Sequence, residues 1–341
     1  MTMLALRDLD ALAARLHGRR SRLADGARLA ALCALGSPAA LAAELYPGEE
    51  FASAAGLQGR LAAGFAAEAD EIAACLGGPW REYAALQAGV FRLWNLKTAL
   101  RGLLAGADRG EIAAALLPLP PGPDGCGPEL AGADGPGGLA ALVPAGPFRY
   151  SLTQALAGYG PDKPAFFHEA ALDRDHLARL AALAAALGPA ERSAGELCAQ
   201  EAAAFNLMTA AAGRFVHGYS PEELKPLYAP GPALDARRFA RLLAAASPSE
   251  LRALAAGSAV DAGPAESDLS ALEALAWRRY ARLAGRTLRR THLGPGAAAA
   301  YLALRRIETL NLVSVAEGLR LRTDPAELAR RLIPRAEAVN V

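Results

Sequence analysis

One short acidic segment could carry acid–base chemistry. In LDRDHLARL, residues 172–180, Asp173 and Asp175 flank an arginine and His176 follows directly. A carboxylate next to an imidazole is a common acid–base pair in enzymes. Asp is also a preferred N-cap residue, and charged side chains are frequent in the first turn of a helix. The segment therefore predicts the charged start of a capped helix, with a catalytic cluster as the alternative.

Other residue types that carry chemistry lack the spacing they would need. The four Cys form no CxxC pair and the five His show no ligand spacing, so we expect neither a metal site nor a disulfide framework. The stretches GPDGCGPE and GADGPGG do not open a helix with Lys-Ser/Thr, as a phosphate-binding loop would. No HExxH or GxSxG motif occurs. The sequence thus predicts no catalytic residue, no metal, no cofactor and no small-molecule substrate.

A pattern headed by asparagine occurs three times. The chain has four Asn, and three of them open Asn-Leu-x-[Ser/Thr]-x-x-x-Gly, here called the Asn motif. By composition, the matched positions would follow a given Asn by chance about once in a thousand. The copies are NLKTALRG at 95–102, NLMTAAAG at 206–213 and NLVSVAEG at 311–318. Their defining residues are Asn95, Thr98, Gly102, Asn206, Thr209, Gly213, Asn311, Ser314 and Gly318.

The Asn motif has the geometry of a contact stripe on a helix. At about 100° per residue, the Ser/Thr and the Gly lie within about 60° of the Asn. Small groups let another segment approach closely, and an Asn amide can bond the backbone of that segment. The stripe therefore predicts packing within the repeats. Direct contact with a partner is the alternative, and the two roles are compatible.

Each Asn motif is followed by signals for a short helix. A residue that can cap a helix is followed three positions later by Glu, as in a capping box. An apolar residue comes next, and a proline ends the segment. The cap pairs are Asp108 with Glu111, Ser220 with Glu223, and Asp324 with Glu327; the apolar residues are Ile112, Leu224 and Leu328; the prolines are Pro118, Pro230 and Pro334.

The spacing of the Asn motifs predicts three homologous domains. Successive Asn are 111 and then 105 residues apart, far more than in a solenoid repeat. A weaker echo relates residues 27–41 to 240–251, each with a Ser before a Pro that could open a short helix. We expect domains over 1–118, 148–232 and 233–341 around a pseudo-threefold axis, with a Pro/Gly-rich flexible linker over 119–147.

Composition favours the all-α class. Hydrophobic residues make up 53% of the 341 residues and aromatics only 6%. Much of the apolar content is Ala and Leu, which are strong helix formers. The net charge of +1 argues against a nucleic-acid partner. Residues 277–341 nevertheless carry 13 Arg and five acidic residues. That surplus indicates either solvated helix faces or a basic surface facing an acidic partner.

No segment has the pattern of a membrane span or a signal peptide. The chain has no run of 18 apolar residues without charge, and charges occur within its first ten residues. We therefore expect a protein that does not cross a membrane.

Taken together, the repeats and their motifs resemble one family of rotary-ATPase proteins, the V-type and A-type subunit that is designated C, or d in eukaryotes. LGPGAAAAYLALRRIETLNL at 293–312 is similar to the start of that family's last repeat, and GLRLRTDPAELARRLIP follows it at 318–334. Residues 171–187 and 205–243 resemble its middle repeat and the passage into the third. The resemblance covers nearly the whole chain apart from residues 118–147.

The charges around the Asn depart from that family's pattern. An acidic residue often stands three positions before the Asn and a basic residue two positions after it. Glu308 and Lys97 keep this pattern in one repeat each. The departures are Arg92, Ala203, Met208 and Val313. They leave the shared charged contacts open without affecting the expected fold.

The resemblance implies a non-catalytic socket. A funnel of three helical domains would hold the central stalk subunits on one side and sit on the membrane proteolipid ring on the other. Such a protein is cytoplasmic, peripheral to the membrane as part of a complex, and couples ATP hydrolysis or synthesis to ion transport. From the residues alone, an unrelated all-helical scaffold or regulatory interaction protein stays open. An α-helical enzyme is disfavoured, because no active-site constellation is recognisable.

Overall fold

The protein is built from α-helices. The computed structural model describes residues 3–119, 125–187, 192–261, 269–291 and 295–333, in which one isolated bridge, Ala256 with Val260, is the sole β-type pairing. The all-α expectation is confirmed. The helices are α1 (Met3–Arg20), α2 (Gly26–Cys33), α3 (Pro38–Leu45), α4 (Ala54–Ala74), α5 (Gly78–Ala88), α6 (Val90–Leu104), α7 (Arg109–Ala115), α8 (Gly135–Leu142), α9 (Pro147–Tyr159), α10 (Ala165–Ala186), α11 (Arg192–Phe215), α12 (Pro221–Leu224), α13 (Ala236–Leu243), α14 (Pro248–Ala255), α15 (Leu269–Arg290), α16 (Pro295–Arg320) and α17 (Pro325–Arg331).

Six of these helices form a closed ring. Going round it, α4 contacts α5, then come α10, α11, α15 and α16, and α16 contacts α4 again. Three of them, α4, α10 and α15, are 21 or 22 residues long. The next ring helix after α4 is α5, which leads into α6 and the first Asn motif. The next ring helices after α10 and α15 are α11 and α16, which carry the second and third Asn motifs. A buried cluster of Ala, Leu and aromatic side chains fills the ring, and α1 packs against it. We call this the six-helix ring.

Three smaller apolar clusters lie around the six-helix ring. One joins α6 and α7 to α8 and α9, the second joins α11 and α12 to α13 and α14, and the third joins α16 and α17 to α2 and α3. In each cluster, the helix that carries an Asn motif and the short helix after it pack on the two helices that precede another Asn motif. The third cluster links the end of the chain to its beginning.

The upstream similarity at residues 27–41 and 240–251 corresponds to like structures. Ser37 caps α3 by accepting from Ala40 N at 3.1 Å, and Ser247 caps α14 by accepting from Glu250 N at 3.2 Å. A proline occupies the first turn of both helices, where its missing N–H leaves no bond unmade.

The Pro/Gly-rich segment is partly helical and packed where the structure describes it. Residues 128–132 form a short 3₁₀ helix, α8 follows, and Leu130, Leu139 and Val143 are buried against α6 and α9. Residues 125–147 thus differ from the flexible linker expected over 119–147, while residues 120–124 lie outside the described part and the predicted domain bounds stay a prediction. Its few large apolar residues are spaced so that they reach a core despite the glycines.

The predicted helix start at Asp173 is also wrong. Helix α10 begins at Ala165, directly after Pro164, so Asp173 lies in its third turn. The reason is that the preceding residues are compatible with a helix, and proline sets the boundary further upstream. Asp173 and Asp175 are instead paired with cations on the helix surface.

Candidate functional site

Each asparagine of the Asn motifs clasps the backbone of a returning segment. Asn206 Nδ2 donates to Ala229 O at 2.8 Å, and Ala229 N donates back to Asn206 Oδ1 at 2.8 Å. Asn95 forms the same pair with Leu117, and Asn311 forms it with Ile333, all at 2.9 Å. The clasped residue lies 22 or 23 positions after the asparagine. One side chain thus fixes both polar groups of one peptide residue, three times over.

The clasped residues share a signal that sequence reasoning missed. Leu117, Ala229 and Ile333 each stand immediately before a proline. A residue in that position is pushed towards extended backbone, which leaves its N–H and C=O free for an outside partner. The sequence pattern indicates helix stops at these prolines and nothing more. Asn95 has an additional bond, from Nδ2 to Cys126 O at 3.0 Å, which attaches the segment after the first motif.

The glycines of the motifs lie against the short capped helices. A Cβ on Gly213 would stand 2.5 Å from a methyl carbon of Leu224, and one on Gly318 would stand 2.6 Å from Leu328. Gly102 has the same relation to Ile112, at 2.7 Å. These contacts are shorter than any carbon–carbon packing distance. The apolar residue that follows each capping Glu therefore occupies the space that the glycine leaves.

The Ser/Thr position is less uniform than the asparagine and glycine positions. Thr209 is buried, Thr98 is half-buried and Ser314 is exposed, with its Oγ donating to Leu310 O at 2.9 Å. In all three copies, the Asn and the Gly at the two ends of the stripe face the segment that follows the motif. The Ser/Thr in the middle of the stripe does not do so in every copy.

The capping boxes predicted after the motifs are present in two copies. Asp108 with Glu111 and Ser220 with Glu223 exchange both cap hydrogen bonds. In the third copy, Asp324 accepts from Ala326 N and Glu327 N at 3.0 Å each, while the Glu327 side chain pairs with Arg331. A helix start is present in every copy, and the reciprocal bond is absent from the third.

A cavity of about 350 Å³ opens where the three motif helices meet. The residues one position before each Asn line it, and so do the residues five positions before each Asn. The first set is Trp94, Phe205 and Leu310, and the second is Val90, Glu201 and Arg306. Helices α10 and α15 complete the wall. We call this space the central cavity; equivalent positions of all three motifs face it.

A buried ion pair lies in the wall of the central cavity. Arg306 Nη2 is 2.6 Å from Glu201 Oε1, and the two side chains are 5% and 10% exposed. The guanidinium also lies over the rings of Trp277 and Tyr280, 5.1 and 5.8 Å from their centroids. Hydrogen bonds and aromatic contacts therefore offset part of the cost of burying the pair. The pair joins α11 to α16 across the ring.

The acidic cluster of α10 is a packing and pairing feature in this structure. Asp173 accepts two hydrogen bonds from Lys97 Nζ at 2.8 Å, and Asp175 accepts from Arg174. His176 lines the central cavity, is buried, and neither ring nitrogen has a hydrogen-bond partner among the described residues. Burial, together with the charge of Arg306, lowers the pKa of His176 to about 4. At neutral pH the imidazole is therefore uncharged.

The mouth of the central cavity exposes apolar and acidic groups. The Trp94 side chain is 46% exposed, although it is large and apolar. Glu273 of α15 lines the same cavity, is exposed, and forms no ion pair with the described residues. The arrangement can hold a protruding group from another molecule. Its described lining residues do not place a nucleophile beside a base.

Neither a metal cluster nor a membrane-spanning helix occurs in the part of the chain that the structure describes. No group of three or more His, Cys, Asp or Glu in the described ranges is arranged to hold a metal ion. Among the helices of those ranges, none combines the length and the apolar character needed to cross a membrane.

Comparison with known proteins gives one family. A family model described as ATP synthase (C/AC39) subunit matches residues 12–331, which include all three Asn motifs and the whole wall of the central cavity. A search of curated proteins finds no match.

Proposed function

Since the chain belongs to the ATP synthase (C/AC39) subunit family of the rotary ATPases, we propose that it is the socket between the central stalk and the membrane proteolipid ring. In this role it performs no catalysis of its own. It transmits rotation between the stalk and the ring, and so couples ATP hydrolysis or synthesis to ion transport. It is a peripheral subunit on the cytoplasmic side, in contact with the membrane through the ring.

The convergence of the three Asn motifs on the central cavity carries this proposal. A socket for a single shaft needs a concave site to which its repeats contribute jointly. Here the positions one and five residues before each Asn do so. The closed order of the six-helix ring and the three outer clusters support an arrangement of three domains about a pseudo-threefold axis.

The Asn clasps supply the rigidity that such a socket requires. Each ties a long helix to the segment that leaves its short capped helix, and it does so by two hydrogen bonds to one residue. We assign the nine motif residues to packing within the repeats, and the cavity mouth to the stalk. A few side chains of the stalk's foot would fill the cavity volume.

The test is capture of the purified central stalk subunits by this chain. Trp94→Ala and Phe205→Ala remove aromatic surface from the cavity and should weaken capture at least tenfold, as expected for buried aromatic anchors (about 1.4 kcal/mol or more). Tyr150→Ala is the control, because Tyr150 lies on α9, is 60% exposed and does not line the cavity. Equal capture by all three variants would reject the cavity as the socket.

Catalysis is tested separately. The purified chain should hydrolyse no ATP and give no stoichiometric nucleotide signal in calorimetry, because no phosphate-binding loop is recognisable in its sequence. Tight nucleotide binding would contradict the socket role even if stalk capture were normal.

A further inference from the structure

Helices α4, α10 and α15 of the six-helix ring, each of which comes before an Asn motif, differ sharply in charge. Helix α4 contains one basic and three acidic residues, and α10 contains two basic and three acidic residues. Helix α15, which holds the corresponding place before the third Asn motif, contains six Arg and one Glu. The basic surplus of the C-terminal part of the chain is therefore concentrated on one helix of the six-helix ring.

Most of these arginines lie on the outer side of α15. Its fully buried residues, among them Ala276, Tyr280 and Ala284, face the ring interior. At about 100° per residue, Arg278, Arg282, Arg286 and Arg289 fall on the opposite side, within an arc of about 80°. We call these four residues the arginine face. Over the length of the helix it extends about 17 Å.

Three of the four arginines of the arginine face have no ion pair among the described residues. Arg282 forms an ion pair with Asp261. Arg278, Arg286 and Arg289 form no ion pair with any carboxylate in the described ranges, and Arg278 Nε and Arg289 Nη1 are buried without a hydrogen-bond partner there. Buried N–H groups of a guanidinium that bond neither protein nor solvent cost free energy. No carboxylate in the described part of the chain therefore neutralises Arg278, Arg286 or Arg289.

One end of the arginine face opens into a groove. A space of about 430 Å³ lies between α2 and α17, with Arg278 and Arg330 on its walls. Among the described residues, its other lining side chains are apolar, including Leu29 and Leu332. Cations beside an apolar floor match a segment that carries carboxylates on one side and aliphatic groups on the other.

We propose that the arginine face and this groove dock an acidic, amphipathic segment of a partner protein. Carboxylates of the segment would accept hydrogen bonds from Arg278, Arg286 and Arg289, and its aliphatic side chains would lie in the groove between α2 and α17. A slender helix or strand fits this geometry. A lipid surface fits it less well, because a flat bilayer cannot reach a guanidinium that lies between two helices.

This surface is distinct from the central cavity. The residues of the arginine face do not line that cavity, and those of the cavity do not line the groove. Binding here can therefore fail while the socket role holds, and the reverse is also true.

Fluorescence anisotropy with a fluorescein-labelled helical peptide that carries Glu on one face and Leu on the opposite face tests the proposal on the full-length chain. Arg278→Glu/Arg286→Glu should weaken binding at least tenfold, since two attractive charges become repulsive (about 1.4 kcal/mol or more). Because Arg278 is partly buried, the single variant Arg286→Glu, at an exposed position, is measured beside it and should weaken binding about threefold. The wild-type affinity should fall as salt rises.

Arg237→Glu/Arg241→Glu is the matched control. These arginines are four residues apart on α13, exposed, and without an ion pair in the described part of the chain. The control should bind the peptide like wild type. Equal losses in both double variants would mean a response to net charge alone and would overturn the proposal. The proposal would also be overturned if the chain bound phosphatidylserine vesicles through Arg286 and did not bind the peptide.

Discussion

The Asn clasps and the wall of the central cavity come from the same three motifs, but they differ in how far the copies agree. At the clasp, the same residue type makes the same two bonds in every copy. Five residues earlier, the copies place Val90, Glu201 and Arg306 around one space, an apolar, an acidic and a basic side chain. The clasping position is the same in every copy, whereas the position five residues earlier differs between the copies, and two of its residues pair as complementary charges.

This difference separates two physical tasks. A clasp satisfies the backbone of its own repeat, so any copy can use the same solution. The cavity wall is shared, and three identical charges at one place would repel one another. Variation at the wall is therefore a consequence of closing the ring, and it makes the three sides of the central cavity distinguishable.

The largest effect should come from breaking the complementary pair. Arg306→Met leaves Glu201 buried without its cation and should cost about 3–5 kcal/mol of unfolding free energy. Arg306→Met/Glu201→Leu removes both charges and should recover most of that loss. Urea unfolding of the two variants measures this.

Arg320→Met serves as the control for that pair. Arg320 pairs with Glu317 at the exposed surface, so its loss should cost less than about 0.5 kcal/mol. If the double variant were as unstable as Arg306→Met alone, the ion pair would not be the cause.

The next effect concerns the clasps. Asn206→Ala removes both partners of Ala229, which is fully buried, and should cost about 2–4 kcal/mol because two backbone groups stay unsatisfied. Asn311→Ala should cost about half as much, since Ile333 is half-exposed and water can reach its backbone. Equal losses measured by urea unfolding would show that burial does not distinguish the copies.

A third effect depends on pH. The pKa of His176 is about 4 in the folded protein and about 6.5 in the unfolded chain. The contribution of the uncharged His176 to the free energy of unfolding is therefore fully present above pH 6.5. As pH falls from 6.5 towards 4, the unfolded chain takes up the proton first and stability is lost. At pH 5 this loss is about 2 kcal/mol.

His176→Phe should remove that acid sensitivity. The difference in unfolding free energy between pH 7 and pH 5 should be about 2 kcal/mol smaller in the variant than in wild type. His217→Phe is the control, because the His217 ring is on the exposed surface. Identical pH profiles for wild type and His176→Phe would contradict the burial argument.

The smallest effect tests the glycine contact. Gly213→Leu places a side chain against Leu224 and should cost about 1–2 kcal/mol, the overpacking being partly offset by better helix propensity. Gly195→Leu in the same helix has no atom within 4 Å of the new Cβ and should be neutral or slightly stabilising. Unchanged stability of Gly213→Leu with abolished stalk capture would make the motif a partner surface instead.

The sequence predicted the framework better than the shared space. Asn206 and Gly213 were identifiable because their spacing recurs and helical periodicity places them on one side. Their partners could not be named, since a contact 23 residues away depends on how the returning segment is positioned. The proline after Ala229 was the available signal, and it acts through backbone sterics that the residue before it must obey.

The cavity and the central segment were harder to foresee for a different reason. Trp94 faces a cavity because helices from all three motifs converge, which no local pattern encodes. Leu130 and Leu139 reach a core from a stretch whose Pro and Gly content is typical of linkers. In both places, tertiary packing outweighs the local signal.

The six-helix ring also has a consequence for how the chain comes apart. In a linear array of repeats, an end unit has one neighbour and can fray on its own. Here the short helices α2 and α3 are held by α16 and α17, so the first and last parts of the chain stabilise each other. A closed ring has no end unit, and the loss of any one part exposes two packing interfaces at once. Unfolding should therefore be a single cooperative event in which the N-terminal and C-terminal regions lose their protection from hydrogen exchange together.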